Sequence, residues 1–183
     1  MTRKKCLLAI VLVALIVFIS RLIWINHKYP PVKYEVIPYG ESGEAMKDIK
    51  VKICDVKEYN QDSIKKYVEK KSLKVLDIAN QESFFKVEVE MTNTSDKEIL
   101  FDVGMMTIES VGYSNAIDLI LMNEWNDKWG RTMWIAPNSS RKLNLCYSVC
   151  FLKGDDSIQK MKKDGLYVVH NYYPVKKMWK LYK

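Results

Sequence analysis

Phe85-Lys-Val-Glu-Val-Glu-Met91 sets apolar residues at odd positions against Lys86, Glu88 and Glu90 at even ones, and the turn-forming run Asn93-Thr-Ser-Asp-Lys97 follows. A period of two sends alternate side chains to opposite faces of an extended chain, so this stretch is a strand with one buried and one solvated face. Beyond the turn, Ile99, Phe101 and Val103 resume the odd-numbered apolar set, which predicts a neighbouring antiparallel strand. The pattern recurs outward in both directions. Ile49, Val51 and Ile53 alternate with Lys50 and Lys52. Leu143, Leu145, Tyr147, Val149 and Phe151 alternate with Asn144, Cys146, Ser148 and Cys150 after the loop Ala136-Pro-Asn-Ser-Ser140. Residues 166–173 are apolar on both faces, as expected of a central strand. Two segments read as helix. One is capped by Asp62 or Ser63 and runs to Lys71 with Ile64, Tyr67 and Val68 on one face; the other spans 156–163 with Ile158 and Met161 inward. At least six short strands joined by loops predict a mainly β fold: an antiparallel β-sandwich of immunoglobulin-like type with one or two short helices.

Ahead of this domain stands Arg3-Lys-Lys5 and then an apolar run from Cys6 to Asn26. Read as a helix, residues 6–26 reach roughly 31 Å, close to the thickness of bilayer hydrocarbon. Arg21, the one charge inside, lies near the distal end, where its stem stays in lipid while the guanidinium reaches the headgroups. The expectation is a cytoplasmic tail over 1–5, a transmembrane helix over 6–26, a stalk over 27–47 and an extracytoplasmic domain over 48–183. A basic cluster just before the first span stays inside, which leaves the large C-terminal part outside the plasma membrane. A cleaved signal peptide is the competing reading, but no small-x-small site stands in Val17-Phe-Ile-Ser-Arg-Leu22 and apolar residues resume beyond it. Cys6 follows Arg-Lys-Lys, which is not the context of a lipidated cysteine. Pro30, Pro31, Pro38, Gly40 and Gly43 underlie the stalk assignment.

The net charge of +7 loses its force once it is located. Four of the 29 basic residues and none of the 22 acidic ones fall in the first 26, so the remaining 25 and 22 leave +3. Interspersed charges with that balance argue against nucleic-acid binding. The tail Lys176-Lys-Met-Trp-Lys-Leu-Tyr-Lys183 can face an anionic wall or lipid surface; as a strand it reads as a lysine-guarded edge.

Candidate chemistry is sparse. Cys146 and Cys150, four apart in a strand, have α-carbons about 13 Å apart and cannot bridge each other. Cys54 can meet one of them only if their strands adjoin. His27 and His170 are remote in sequence, and no Cys-x-x-Cys or His-x-x-x-His pair is present, so no metal is expected. Glu88 and Glu90 lie on a solvated strand face, and Asp155-Asp156 sits in a turn beside Gly154. No glycine-rich phosphate loop and no Gly-x-Ser-x-Gly elbow is found, so neither a cofactor nor an enzymatic reaction is expected.

The most unusual segment is Asn123-Glu-Trp-Asn-Asp-Lys-Trp-Gly-Arg-Thr-Met-Trp134, with three of the five tryptophans. Trp125, Trp129 and Trp134 can stack on sugar rings or anchor a protein, with Asn126, Asp127 and Arg131 supplying hydrogen bonds. The alternative is that these rings plug the open end of the sandwich, with Trp125 and Trp129 facing inward at helical spacing.

The run from Phe85 to Ile99, then Ile135-Ala-Pro-Asn-Ser-Ser140 leading into Leu143 to Val149, then Tyr172-Tyr-Pro-Val-Lys-Lys177, resembles the immunoglobulin-like ectodomains of small Gram-positive surface proteins. The resemblance covers about residues 32 to 183. It implies an exported domain on a single span or lipid anchor and supplies no catalytic or binding residues. The expected role is a membrane-anchored interaction domain that binds a protein or envelope partner near the membrane. The alternative is a cell-wall saccharide-binding module using the tryptophan segment.

Overall fold

The computed structural model describes residues 3–73, 83–126, 130–149 and 158–183. It divides into two units, residues 1–33 and 34–183. The first is dominated by helix α1, Arg3–Lys28. Its stretch Ile10–Lys28 is long and apolar enough to cross a membrane, and none of it is buried by protein. At the C-terminal end of α1 the Arg21 guanidinium lies 4.3 Å from the centre of the Trp24 ring, with Lys28 Nζ 4.8 Å from that centre and 5.4 Å from that of Tyr29. Aromatic rings clasped by cations are the composition of a membrane interface belt.

The second unit is a β-sandwich. Five strands, β1 (Lys33–Ile37), β6 (Thr107–Ser110), β7 (Tyr113–Asn115), β10 (Tyr167–His170) and β11 (Val175–Lys180), form one sheet in the order β1-β11-β10-β6-β7. Four strands, β2 (Ser42–Met46), β3 (Ile49–Asn60), β4 (Ser83–Asn93) and β9 (Ser140–Val149), form the second in the order β2-β3-β4-β9. A two-stranded piece pairs β5 (Ile99–Asp102) with β8 (Thr132–Ile135). The alternation in β4 is kept: Phe85, Val87, Val89 and Met91 are fully buried and face the five-stranded sheet. Trp179 of β11 crosses this interface, its Nε1 donating to the Val51 carbonyl at 2.9 Å. Gly43 of β2 leaves room beside that ring, since a Cβ there would lie 2.5 Å from Ile37 and 3.3 Å from the indole nitrogen.

The other face of the four-stranded sheet is covered at one end. Phe84 and Cys146 are buried there, beneath α2 (Gln61–Lys71) and α3 (Leu119–Trp125). α2 places Ile64 and Val68 inward and is capped by Asn60, whose side chain accepts from Ser63 N, rather than by Asp62 or Ser63. Helix α4 (Ile158–Asp164) buries Met161 as its pattern requires. α3 was not apparent as a helix, because its apolar run Leu119-Ile-Leu-Met122 carries no helical period.

Three expectations change. The segment assigned to a stalk holds β1 and β2, so only residues 29–32 separate helix from sheet; its prolines fall in the linker and in the turn between these strands, where no amide donor is needed. β4 and β5 are not neighbours. β4 pairs with β3 and β9, while the Asn93 turn carries the chain across to β8. β11 is not an edge strand, since β1 pairs outside it; Lys177 reaches Glu35 of β1 and Lys176 reaches Glu109 of β6. Cys54 and Cys146 are unbridged, because β4 lies between their strands. Cys150, Asp155 and Asp156 lie outside the described residues. The 166–173 segment supplies β10, which is central as its two apolar faces require.

Glu109 is a carboxylate inside this framework, 8% exposed. Burial raises its pKa, but Lys176, the Tyr172 hydroxyl at 2.6 Å and Thr107 Oγ1 at 3.2 Å all donate to it, and together they hold it below the usual carboxylate range. A group with a depressed folded pKa stabilises fully above its unfolded value and loses that as the pH falls through the folded one. The wild-type melting temperature is therefore expected to drop below about pH 4.3. Glu109→Gln, already deprived of the pairing with Lys176 at neutral pH, follows a flatter curve, so the gap between the two narrows in acid. Parallel curves in a pH series of thermal melts would refute this role.

Candidate functional site

The tryptophan segment begins with α3, whose first turn is capped by Asp118 Oδ1 accepting from the amides of Ile120 and Leu121, each at 3.1 Å. Leu121 and Met122 are buried against β9. β9 is an edge of its sheet, and an edge exposes a row of unpaired amides and carbonyls. Residues 113–126 answer that row one group at a time. The Asp118 amide donates to the Cys146 carbonyl at 2.8 Å, and Asn115 Nδ2 to the Ser148 carbonyl at 2.7 Å. Asn126 mimics a peptide unit: its Nδ2 donates to the Asn144 carbonyl at 2.7 Å while its Oδ1 accepts from the Asn144 amide at 2.7 Å. A third bond, from Nδ2 to the Met122 carbonyl at 2.6 Å, ties the same side chain to the end of α3. Asn126 is therefore committed to closing a sheet edge.

Trp125 is half-buried. Its ring centre lies 5.7 Å from that of Tyr59 and 6.2 Å from that of Tyr67, and Lys86 Nζ sits 5.4 Å away. It joins α3 to α2 and β3.

The remaining described members of the segment sit on the two-stranded piece. Arg131 grips Asp102 with two prongs, Nε to Oδ1 at 3.0 Å and Nη2 to Oδ2 at 2.9 Å. This fork holds the Asp102 carboxyl below its usual range. Trp134 of β8 stands 55% exposed, directly across from Leu100 of β5 at 45% exposed, with Met105 also exposed in the following turn. Beneath them Phe101, Met133 and Ile135 are buried. Leu100 and Met105 went unread as site residues, although an apolar side chain on the solvent side of an alternating strand was the available signal.

Of the six candidate residues, then, Trp125 and Asn126 belong to the helical cover, Arg131 and Trp134 to the two-stranded piece, and Asp127 and Trp129 lie outside the described residues. Arg131 is exposed but held by Asp102, and Trp134 is exposed with its ring on the solvent side of β8. His170 packs on Phe101 with ring centres 5.2 Å apart and places Nδ1 3.2 Å from the Ala45 carbonyl; its burial lowers the imidazole pKa. Burial likewise pushes the thiols of Cys54 and Cys146 upward, away from thiolate chemistry.

Among solved structures the chain is similar to the yjhA protein from Bacillus subtilis, at 12% identity and a TM-score of 0.48, over 79% of this chain and 98% of that one. It is also similar to an uncharacterized beta-sandwich protein from Clostridium difficile 630, at 10% identity and a TM-score of 0.43, over 82% and 95%. A functionally unknown protein from Listeria monocytogenes EGD-e aligns at 9% identity and a TM-score of 0.43, over 70% and 69%. No curated protein matches the chain in sequence. Residues 32–177, which begin one residue before β1 and end within β11, match the family described as a domain of unknown function, DUF5028, and the chain belongs to that family.

Proposed function

We propose that this is a single-pass plasma-membrane protein whose amino terminus is cytoplasmic and whose β-sandwich is extracellular, where it binds a protein partner of the cell envelope without performing a reaction. The observation that carries this reading is α1: an unburied apolar helix of membrane-spanning length, ending in a cluster of tryptophan, tyrosine, arginine and lysine, and followed after four residues by the first strand. The short linker keeps binding within reach of the membrane surface. The apolar face of Trp134, Leu100 and Met105 is the contact surface. Its exposed large side chains have no role in the core, and tryptophan is the residue type that most often anchors an interface. The saccharide alternative is weaker, because Trp125 and Asn126 are already engaged and Arg131 is held by Asp102.

Two measurements test this on intact cells. A membrane-impermeant maleimide is expected to label Val111→Cys, at a turn position 78% exposed, above the parent chain, and to leave Thr2→Cys unlabelled until lysis. The opposite pattern overturns the orientation. A photo-crosslinking amino acid at position 134 is expected to capture one envelope protein, with the capture lost in Leu100→Asp. Trp134→Ala should melt within about 2 °C of the wild type, because exposed substitutions seldom cost more than about 0.5 kcal/mol. Crosslinking no stronger than from the exposed Lys65 of α2 overturns the surface.

A further inference from the structure

A second feature of the folded domain is independent of the anchor and of the Trp134 face. The end of α4, the turn Gly165–Leu166 and the residues after β11 enclose a cleft of about 230 Å³, lined by Lys162, Lys163, Tyr167, Lys180, Tyr182 and Lys183. Its walls are tied together. The Leu181 amide donates to the Leu166 carbonyl at 3.0 Å, Tyr167 and Lys180 are directly paired across β10 and β11, and buried Leu166 lies at its base. Gly165 holds φ at +102°, and a Cβ there would lie 2.5 Å from the Tyr167 hydroxyl, so backbone and hydroxyl meet at the rim.

The charge of this cleft exceeds what the fold uses. Lys162 pairs with Glu58, and its ammonium lies 5.6 Å from the Tyr182 ring centre. Lys162 and Lys163 also suit the negative end of α4. Lys180 and Lys183 come from the other wall, have no helix end to complement, and like Lys163 have no carboxylate partner among the described residues. Among the described lining residues three unpaired ammonium groups face one acidic side chain, Asp164, and the surplus positive charge suits an anion. A cleft of about 230 Å³ is larger than one or two ordered waters need, and leaves room for a small organic group beside a phosphate. We propose that the cleft binds a phosphate ester of a small polyol, with Lys163, Lys180 and Lys183 supplying charge and Tyr167 donating a hydrogen bond. Such a group occurs free in solution and as the headgroup of an anionic lipid.

The test uses the full chain in nanodiscs of phosphatidylcholine, titrated with sn-glycerol 3-phosphate and followed by the backbone amide resonances of Gly165, Tyr167 and Lys183. Saturable shifts are expected, weakened about tenfold or more in Lys180→Gln/Lys183→Gln and a few-fold in Tyr167→Phe. The same resonances moving only when phosphatidylglycerol replaces a third of the lipid identifies the headgroup as the source and equally supports the proposal. No response in either arm overturns it. So does a loss as large in Lys65→Gln/Lys66→Gln on α2 as in the cleft variant, because that is generic charge screening. Matched thermal melts of all variants exclude misfolding as the cause. A cytoplasmic domain would leave the soluble arm unaffected, so this result stands or falls apart from the orientation proposed above.

Discussion

Trp179→Ala is expected to cost the domain a large share of its stability. The indole is fully buried, lies between the two sheets, and carries the hydrogen bond from Nε1 to the Val51 carbonyl. Removing a buried tryptophan costs about 3–5 kcal/mol, against a total stability of about 5–15 kcal/mol for a domain of this size. At about 2–4 °C per kcal/mol the melting temperature should fall by roughly 6–20 °C. Trp179→Phe separates the two contributions: it keeps most of the packing and gives up the hydrogen bond, so an intermediate loss is expected. If the alanine variant melts within about 3 °C of the wild type, the ring does not join the sheets. Gly43→Ala should reproduce part of the defect with the indole still present, because the added methyl meets Ile37 and that ring.

The second large effect is expected at Asn93, a fully buried amide at the end of β4. Its Nδ2 donates to the Lys97 carbonyl at 2.6 Å and to the Ile135 carbonyl at 3.0 Å, while its Oδ1 accepts from the Ser95 amide at 2.9 Å and from Ser95 Oγ at 2.8 Å. One side chain thus shapes the turn leaving the four-stranded sheet and fastens it to β8. Asn93→Ala strands the Ile135 carbonyl and the Ser95 amide, at about 1–3 kcal/mol for each group left buried without a partner. Asn93→Asp should be worse at neutral pH, where a carboxylate faces two carbonyl oxygens. That excess should shrink as the pH falls toward about 3.9, because the protonated acid can donate again. Chemical denaturation of the three proteins at two pH values decides it, and equal stability of the alanine variant and the wild type would sink the assignment.

These two residues also mark what was legible in the chain. The inward set of β3, β4 and β9 followed from a period of two because each of these strands has one face on the core. Strand order did not follow. Asn93 reads as an ordinary turn residue, and nothing in the run to Ile99 tells a hairpin from a crossing to another sheet; the buried amide that decides between them finds its partner 42 residues away. The run from Val32 to Ile37 could be read as a short strand, but β2 was not legible beside Pro38, Gly40 and Gly43, since such a segment reads as a linker until the partner strand is known. At the tryptophan segment composition identified an unusual surface and the structure divided it. Trp134 is open and Trp125 packs against α2 and β3, whereas Asn126 closes an edge that cannot be foreseen without knowing that β9 lies at the margin of its sheet.

The pairing of β1 with β11 bears on how the domain comes to exist during synthesis. Glu35 and Lys177, which join these strands, are 142 positions apart. The ribosome delivers β1 well before β11, so β1 waits with an open edge while the strands between them are made. A chain interrupted before residue 175 would lack a middle strand and present two unpaired edges, those of β1 and β10. Such a chain is a ready substrate for chaperones and proteases, and a product cut short near its carboxyl end is marked for removal by its own geometry.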